Sequence, residues 1–271
     1  MKDLTDIRRY ELKYAITEAM AARIRDEIAP ICVLDRNVPH GESGYTVNNL
    51  YFDTPSLKFY YDTRFRKPMR YKARARYYGM KAADWIWPEI KYRQGSIIWK
   101  RRYRLPVDHF QSLVQTRATH RHEPEIKPQL DRFEEIVHWY DAHPVIHVRY
   151  FREPYVTTLE DYGRVTFDRR LCYRPVHGSS DLDYRERDML YYDDPVTTFN
   201  ADSPVLLEIK VEPQVPHWII AVIRKFNLVQ RPFSKYCYGI DHTMGTITQG
   251  RNPATSRSTF HQTVSSARSV E

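Results

Sequence analysis

Several features that would narrow the function of this chain are missing from its 271 residues. The three cysteines, Cys32, Cys172 and Cys237, have no short spacing, which argues against a disulfide framework and against a zinc site. No segment approaches the roughly 18 uninterrupted apolar residues of a membrane-spanning helix. The first residues, MKDLTDIRRYELKY, are charged and lack the apolar stretch of a signal peptide. We therefore expect a cytoplasmic protein in a reducing setting, with no membrane span in this chain.

The sequence also lacks the common catalytic signatures. It contains no Walker A loop, no G-x-G-x-x-G and no G-x-S-x-G. Eleven histidines are scattered along the chain, and His120 and His122, in a polar stretch, give little support for a metal site. Any chemistry must therefore come from charged side chains.

Positive charge and aromatic residues are what the chain has in excess. It carries 42 Lys and Arg against 34 Asp and Glu, a formal net charge of +8 and a pI of about 9.3. This balance favours an anionic partner such as nucleic acid, phosphates or a membrane surface. A hydrophobic content of 42% indicates a globular protein, and the 21 tyrosines favour strands.

The stretch RYKARARYY, at 70–78, shows how the charge is arranged. One parity carries Arg70, Lys72, Arg74 and Arg76, and the other carries Tyr71, Ala73, Ala75 and Tyr77. In a strand, same-face neighbours lie about 7 Å apart, so four cations repel one another unless an anion lies between them. The pattern indicates either a polyanion site or a solvated edge strand whose charges prevent pairing.

The same one-sided pattern recurs in further predicted strands, over 7–16, 84–93, 145–152, 164–171 and 205–212. Oppositely charged residues lie on the same face of a predicted strand in four pairs, which are Glu11 with Lys13, Glu89 with Lys91, Arg164 with Asp168 and Glu208 with Lys210. Amphipathic helices are predicted over 18–29, 108–117, 127–141 and 217–230. The simplest arrangement packs these helices on the apolar outer face of a closed sheet, so that the charged faces line the interior. A sheet with one wet face is the alternative.

A charged interior of this composition suits chemistry on phosphates. Arginine forks and lysine ammonium groups bind phosphate oxygens, and a few carboxylates among them suit Mg²⁺ or Mn²⁺. Phosphoryl transfer needs little beyond positioning and charge neutralisation. An RNA-binding platform would expose aromatics on the same face as its cations, whereas here most aromatics have the opposite parity. We therefore expect no nucleic-acid partner.

The motifs RYELKY, NLYFDT, KARARYY, PEIKYR with WKRR, VRYFR, RVTFD, LLEIK and SKYCYGI occur in one order over about residues 7–242. In this order they resemble the polyphosphate polymerase (VTC) domain of the triphosphate tunnel metalloenzymes. The resemblance implies an α+β fold, an antiparallel eight-stranded closed β-barrel with helices packed on the outside. It implies transfer of the ATP γ-phosphate onto a growing polyphosphate chain with Mn²⁺ or Mg²⁺. Residues 1–246 would form this domain, and the Ser/Thr/Arg-rich tail 247–271 is predicted to be disordered.

The resemblance also assigns roles to residues of this sequence. The catalytic phosphate contacts fall on Arg74, Arg76, Lys91, Arg152 and Arg164. Substrate-binding positions are Lys13, Lys100, Tyr150 and Lys235, to which the shared parity adds Lys72 and Lys210. The metal-binding glutamate of the family matches Glu208, and Glu11, Glu89 and Asp168 are either further metal groups or ion-pair partners of the cations. Arg149 is left out because its parity is opposite to that of Arg152.

The first strand departs from the pattern of other tunnel enzymes. Those that hydrolyse triphosphates or make cyclic AMP usually open with E-x-E-x-K, whereas this chain has R-x-E-x-K beginning at Arg9. The missing carboxylate favours the polymerase branch. Two alternatives stay open: hydrolysis of tripolyphosphate or nucleoside triphosphates, and binding of polyphosphate without turnover. Expected partners are ATP, inorganic polyphosphate, and pyrophosphate or orthophosphate, and a separate membrane partner is left open.

Overall fold

The computed structural model describes residues 10–82, 84–95, 97–110, 130–159, 163–176, 182, 186–191, 205–212, 214–230 and 232–249. The strands are β1 (Tyr10–Ile16), β2 (Cys32–Leu34), β3 (Tyr45–Asp53), β4 (Met69–Tyr78), β5 (Trp85–Gln94), β6 (Ile97–Arg102), β7 (Leu105–Pro106), β8 (His143–Thr157), β9 (Gly163–Pro175), β10 (Leu190–Tyr191) and β11 (Val205–Val211). The helices are α1 (Glu18–Ile28), α2 (Lys58–Arg64), α3 (Leu130–Trp139), α4 (His217–Lys225) and α5 (Lys235–Gln249). The α+β class is confirmed.

One large antiparallel sheet organises these elements. Its main path runs β1-β11-β9-β8-β3-β4-β5-β6, and β2, β7 and β10 add short pairings to β8, β5 and β9. Each neighbouring pair on the path is antiparallel. Four of the seven pairings on this path join consecutive strands, and three, β1 with β11, β11 with β9 and β8 with β3, join distant parts of the sequence.

The sheet is strongly curved. The strands β1 and β5 lie six steps apart in the strand order, which would separate them by roughly 29 Å in a flat sheet. Instead Lys91 Nζ of β5 lies 3.0 Å from Glu11 Oε2 of β1. The large antiparallel sheet agrees with the prediction, but no backbone pairing between β1 and β6 occurs among the described strands, so closure into a barrel is not shown.

The convex face carries one part of the core under α1 and α4. Residue alternation places Phe167, Leu207 and Ile209 on this face, and all three are buried. Helix α1 begins after Thr17, whose hydroxyl accepts a hydrogen bond from the Met20 amide at 3.1 Å. The apolar stripes of α1 and α4 complete this cluster. A second convex cluster forms where α3 covers β3, β4 and β5.

Helix α5 contradicts the expectation that all helices pack outside the sheet. It lies on the concave face, where Gly239 approaches Ile146 and Val148 of β8. A Cβ atom at residue 239 would lie 2.7 Å from Ile146 Cδ1, so a larger residue there would have to displace the end of the Ile146 side chain. These apolar residues form the lining of one end of the concave face, and α5 covers that end.

Several predicted boundaries differ from the structure. The strands β8 and β9 are longer than predicted, the short strand predicted at MLYYD is present as β10, and β2, β7 and α5 were not predicted as elements. Helix α5 extends to Gln249, past the predicted start of the tail, and residues 250–271 lie outside the described residues. Arg9, His120, His122 and most of the predicted helix 108–117 also lie outside them. None of the described helices is long and apolar enough to cross a membrane.

Candidate functional site on the concave face

The strand registers bring most of the predicted site residues to one concave face. Lys13 lies opposite Glu208, Arg152 lies opposite Asp168, and Arg74 lies opposite Glu89. Directly opposed residues of paired strands point to the same side. The predicted residues on this face are Glu11, Lys13, Lys72, Arg74, Arg76, Glu89, Lys91, Lys100, Tyr150, Arg152, Arg164, Asp168, Glu208 and Lys210, and α5 adds Lys235. Cations far outnumber carboxylates here.

Four of these residues form a buried group that we call the Glu208 cluster: Arg152, Asp168, Glu208 and Lys235. The Arg152 guanidinium donates from Nε and Nη2 to the two Asp168 oxygens, both at 2.7 Å. Lys235 Nζ lies 2.6 Å from Asp168 Oδ2 and 2.8 Å from Glu208 Oε1. Two buried carboxylates are thus held together by two cations from β8 and the start of α5.

Three lysines extend the Glu208 cluster toward the edge of the sheet. Lys13 Nζ lies 3.6 Å from Glu208 Oε1 and 3.3 Å from Glu11 Oε1, and it donates to the Phe233 carbonyl at 3.1 Å. Lys210 Nζ lies 3.4 Å from Glu208 Oε2. Lys91 reaches the other oxygen of Glu11 from β5. The ion pairs therefore run without interruption from β9 to β5.

A second group surrounds one buried carboxylate, and we call it the Glu89 cluster. Arg74 approaches Glu89 Oε2 at 2.6 Å through Nη2, and Lys100 Nζ lies 3.1 Å from Oε1. Arg102 and Arg76 lie 3.4 and 3.9 Å from Oε1. Sequence reasoning missed Arg102, although it shares a parity with Lys100 in IIWKRR. In this structure Glu89 serves as the ion-pair partner of four cations.

Arg164 stands apart from both clusters. Its Nη2 lies 2.7 Å from Asp35 Oδ2 and donates to the Tyr45 hydroxyl at 3.2 Å. Asp35 follows β2 in the loop DRNVPHGESG, which carries no pattern that could have identified it. The structure therefore places Arg164 on the predicted face but gives it a partner from a distant loop.

The cations hold the buried carboxylates in their charged form. Burial by itself would raise the pKa of Glu208, but Lys235, Lys13, Lys210 and Arg152 together hold it well below its ordinary value. Burial opposes the Asp168 charge in the same way, and Arg152 and Lys235 lower its pKa. The reverse applies to three lysines with less compensation: burial lowers the pKa of Lys72 and of Lys100 to about 7 and that of Lys210 to about 8.

These lowered lysine pKa values predict that a bound polyanion takes up protons at about pH 8. Without an anion much of Lys72 is neutral there, and a nearby phosphate favours the ammonium form, so affinity falls as pH rises above about 7. Calorimetry of tripolyphosphate binding in two buffers of different ionisation enthalpy measures the uptake. Lys72→Met should reduce it, whereas Lys81→Met, which removes an exposed lysine, should not. Proton release in the original protein would contradict the prediction.

The carboxylates of this face do not form a ready-made metal cage. No group of three or more His, Cys, Asp or Glu residues that could hold a metal ion occurs in the described part of the chain. Both Asp168 oxygens have short contacts to cations, whereas Glu208 Oε2 has only longer ones, 3.3 Å to Arg152 and 3.4 Å to Lys210. Mg²⁺ often binds through one or two carboxylates and substrate phosphates. The residues therefore fit an ion carried on those phosphates, with Glu208 as a protein ligand.

The sequence of residues 8–244 matches the family model of the VTC domain. The chain belongs to the VTC domain family. The resemblance seen in the ordered motifs is thereby confirmed, and the match spans nearly all of the strands and helices described above. None of the curated proteins matches this VTC domain significantly.

Solved structures with a similar arrangement share little sequence with this VTC domain. A candidate adenylate cyclase from Bacillus halodurans is 10% identical with a TM-score of 0.48, covering 85% of this chain and 95% of that one. A candidate adenylyl cyclase from Hippeastrum, described as having a dominant triphosphatase activity, is 10% identical with a TM-score of 0.44, covering 85% and 94%. The Mimivirus capping enzyme triphosphatase is 8% identical with a TM-score of 0.32, covering 82% and 89%.

Proposed function

We propose that this VTC domain is a metal-dependent polyphosphate polymerase that transfers the ATP γ-phosphoryl group to inorganic polyphosphate. The observation that supports this most directly is the excess of arginine and lysine on one concave face. Its buried carboxylates already have cation partners, so the remaining positive charge is available to phosphates. Family membership is consistent with a polyphosphate or triphosphate substrate.

Each predicted residue then has a role in charge neutralisation or binding. Phosphoryl oxygens are neutralised by Arg74, Arg76, Lys91, Arg152 and Arg164, and Lys13, Lys72, Lys100, Tyr150, Lys210 and Lys235 bind the substrate. The Lys235 ammonium lies 4.6 Å from the centre of the Tyr150 ring, so the ring face helps to hold this cation in place. Positioning of this kind is the main protein contribution to phosphoryl transfer.

The reaction needs no protein nucleophile or base. An oxygen of the terminal phosphate of the acceptor forms a bond to the γ-phosphorus of ATP. The bond from that phosphorus to the β–γ bridging oxygen breaks, and ADP leaves with the electron pair. Since the acceptor oxygen is already anionic, no proton must be removed from it. A Mg²⁺ or Mn²⁺ ion held by Glu208 would neutralise charge on the transferring phosphate.

The proposal includes a tunnel. Glu11 and Lys91 already meet across the concave face, and a closed passage between β1 and β6 would keep a growing chain among the cations. Helix α5 covers one apolar end of that face. A chain bound there would therefore follow the charged side of the face and avoid the end under α5.

Incubation with ATP and Mn²⁺, followed by electrophoresis of the products, tests this function. We expect a ladder of long polyphosphate chains. Arg74→Ala should weaken it strongly, whereas Arg101→Ala, which removes an exposed arginine of opposite parity on β6, should not. Free phosphate as the product would establish the hydrolase. Unchanged ATP together with tight polyphosphate binding would establish the binding module.

A further inference from the structure

A block of four cations lies on the concave face at the end of β4 and β5 that is far from the turn joining these strands and close to the turn between β5 and β6. We call it the basic block, and it consists of Arg70, Lys72, Lys91 and Arg93. The register places Arg70 opposite Arg93 and Lys72 opposite Lys91. Like charges directly opposite each other on paired strands are destabilising. Two such pairs in succession indicate a surface that is built to receive negative charge.

The same two strands show what a balanced arrangement looks like. Two residues further along each strand, on the same face, Arg74 lies opposite Glu89, and their side chains form an ion pair. Among the residues that the structure describes, only Lys91 of the basic block has a carboxylate partner, Glu11. Both regions belong to the same pair of antiparallel strands. They therefore differ in their side chains and not in how the strands pair.

The other three cations of the block contact neutral groups in the described part of the chain. Arg70 Nη1 donates to the Lys67 carbonyl at 2.6 Å, and Arg93 Nη1 donates to the Gly95 carbonyl at 3.4 Å. Lys72 Nζ donates to the Ser234 hydroxyl at 3.1 Å. Burial, Arg93 and Arg66 also lower the pKa of Arg70, which is the response of a cation without a nearby carboxylate.

The basic block adjoins the Glu208 cluster. Ser234, which contacts Lys72, immediately precedes Lys235, whose ammonium lies between Asp168 and Glu208. On the other side Glu11 contacts both Lys91 and Lys13. A linear polyanion on the basic block would therefore end beside the residues proposed to bind the triphosphate.

We propose that Arg70, Lys72 and Arg93 form a separate subsite for the acceptor polyphosphate chain, next to the triphosphate-binding residues around Glu208. This inference rests on the proposed function and names the part of the site that recognises the second substrate. Cations spaced about 7 Å apart along β4 require several linked anions, which a single orthophosphate does not provide. The aromatic neighbours Tyr71 and Tyr92 stack on each other on the opposite face, so these two rings cannot stack with the bases of a nucleic acid bound to the block.

Polyphosphate binding without turnover tests the subsite independently of catalysis. The variant carries Arg70→Gln and Arg93→Gln, a change that removes a like-charge contact and should preserve the fold. We expect labelled polyphosphate to bind about tenfold more weakly or worse, with a shallower salt dependence, while a non-hydrolysable ATP analogue binds as before. Arg70→Lys with Arg93→Lys should restore most of the affinity, and Arg101→Gln, on the opposite parity, should leave it unchanged.

Three outcomes would overturn the subsite. These are unchanged polyphosphate binding in the glutamine variant, an equal loss of ATP-analogue binding, and competition by single-stranded RNA as strong as by polyphosphate. In turnover assays the glutamine variant should raise the KM for added polyphosphate and leave the KM for ATP unchanged. If the original protein makes no polyphosphate ladder, the proposed polymerase activity fails, whereas the binding comparison still decides the subsite.

Discussion

Glu208→Gln is expected to lower metal-dependent ATP consumption by roughly 100-fold or more, because it removes the proposed ligand of the metal ion. Metal-free tripolyphosphate binding should be retained or become tighter. Glu208 is 4% exposed and has four cations within 3.6 Å, so its charge offsets part of the field that attracts phosphates. The amide keeps the shape of the side chain and removes the charge. Initial rates with Mn²⁺ and calorimetry without metal measure the two effects separately.

Glu153→Gln is the matched control for the loss of a buried carboxylate. Glu153 is 5% exposed and pairs with Arg25 and Arg169 on the convex side, at 2.8 and 2.7 Å. The Glu153→Gln substitution should lower the stability of the protein without changing the activity per folded molecule. Full metal-dependent activity in Glu208→Gln would refute the metal assignment. Loss of tripolyphosphate binding in that variant would instead show that Glu208 mainly positions Lys235 and Arg152.

Strand parity explains why so much of the concave face could be predicted. Successive side chains of a strand point to opposite faces, so a run such as RYKARARYY fixes which residues share a side. Arg74 and Arg76 lie together for that reason, and Arg149 lies away from Arg152. Parity cannot say which strands are neighbours. The pairing of Lys13 with Glu208 depends on the register of β1 against β11, which no local pattern reveals.

The structure departs most from expectation where tertiary contacts override local preference. Helix α5 contains Gly239 and several threonines, which are weak helix formers, so its sequence gives little helical signal. Its position depends on the close approach of Gly239 to Ile146 and on the hydrogen bond from the Tyr236 hydroxyl to Asp53. The residues in each of these contacts are far apart in the sequence, and the periodicity of a single segment cannot predict contacts of that kind. The partnership of Arg164 with Asp35 was missed for the same reason.

Asp168→Asn is expected to lower the free energy of unfolding by about 3–5 kcal/mol, because it removes one of the two buried carboxylates that offset the charges of Arg152 and Lys235 and leaves only Glu208 to do so. Asp168 is fully buried, with both oxygens in contact with these cations at 2.6–2.7 Å. For a domain of this size the change corresponds to a melting temperature lowered by about 6–20 °C. Added Mn²⁺ should not restore it, since the loss concerns ion pairing. Thermal and urea unfolding measure the effect.

The acid dependence of unfolding separates this electrostatic role from simple packing. The pKa of Asp168 is lowered in the folded protein, because Arg152 and Lys235 outweigh its burial. Its stabilisation is therefore present above the unfolded value of about 3.9 and is lost as pH falls through the lower folded value. Asp168→Asn should flatten that acid loss, whereas Glu11→Gln, at a side chain 26% exposed, should cost less than about 1 kcal/mol. An acid dependence identical to that of the original protein would mean that Asp168 stabilises the fold through its shape and not through its charge. The charges of Arg152 and Lys235 would then need another source of compensation.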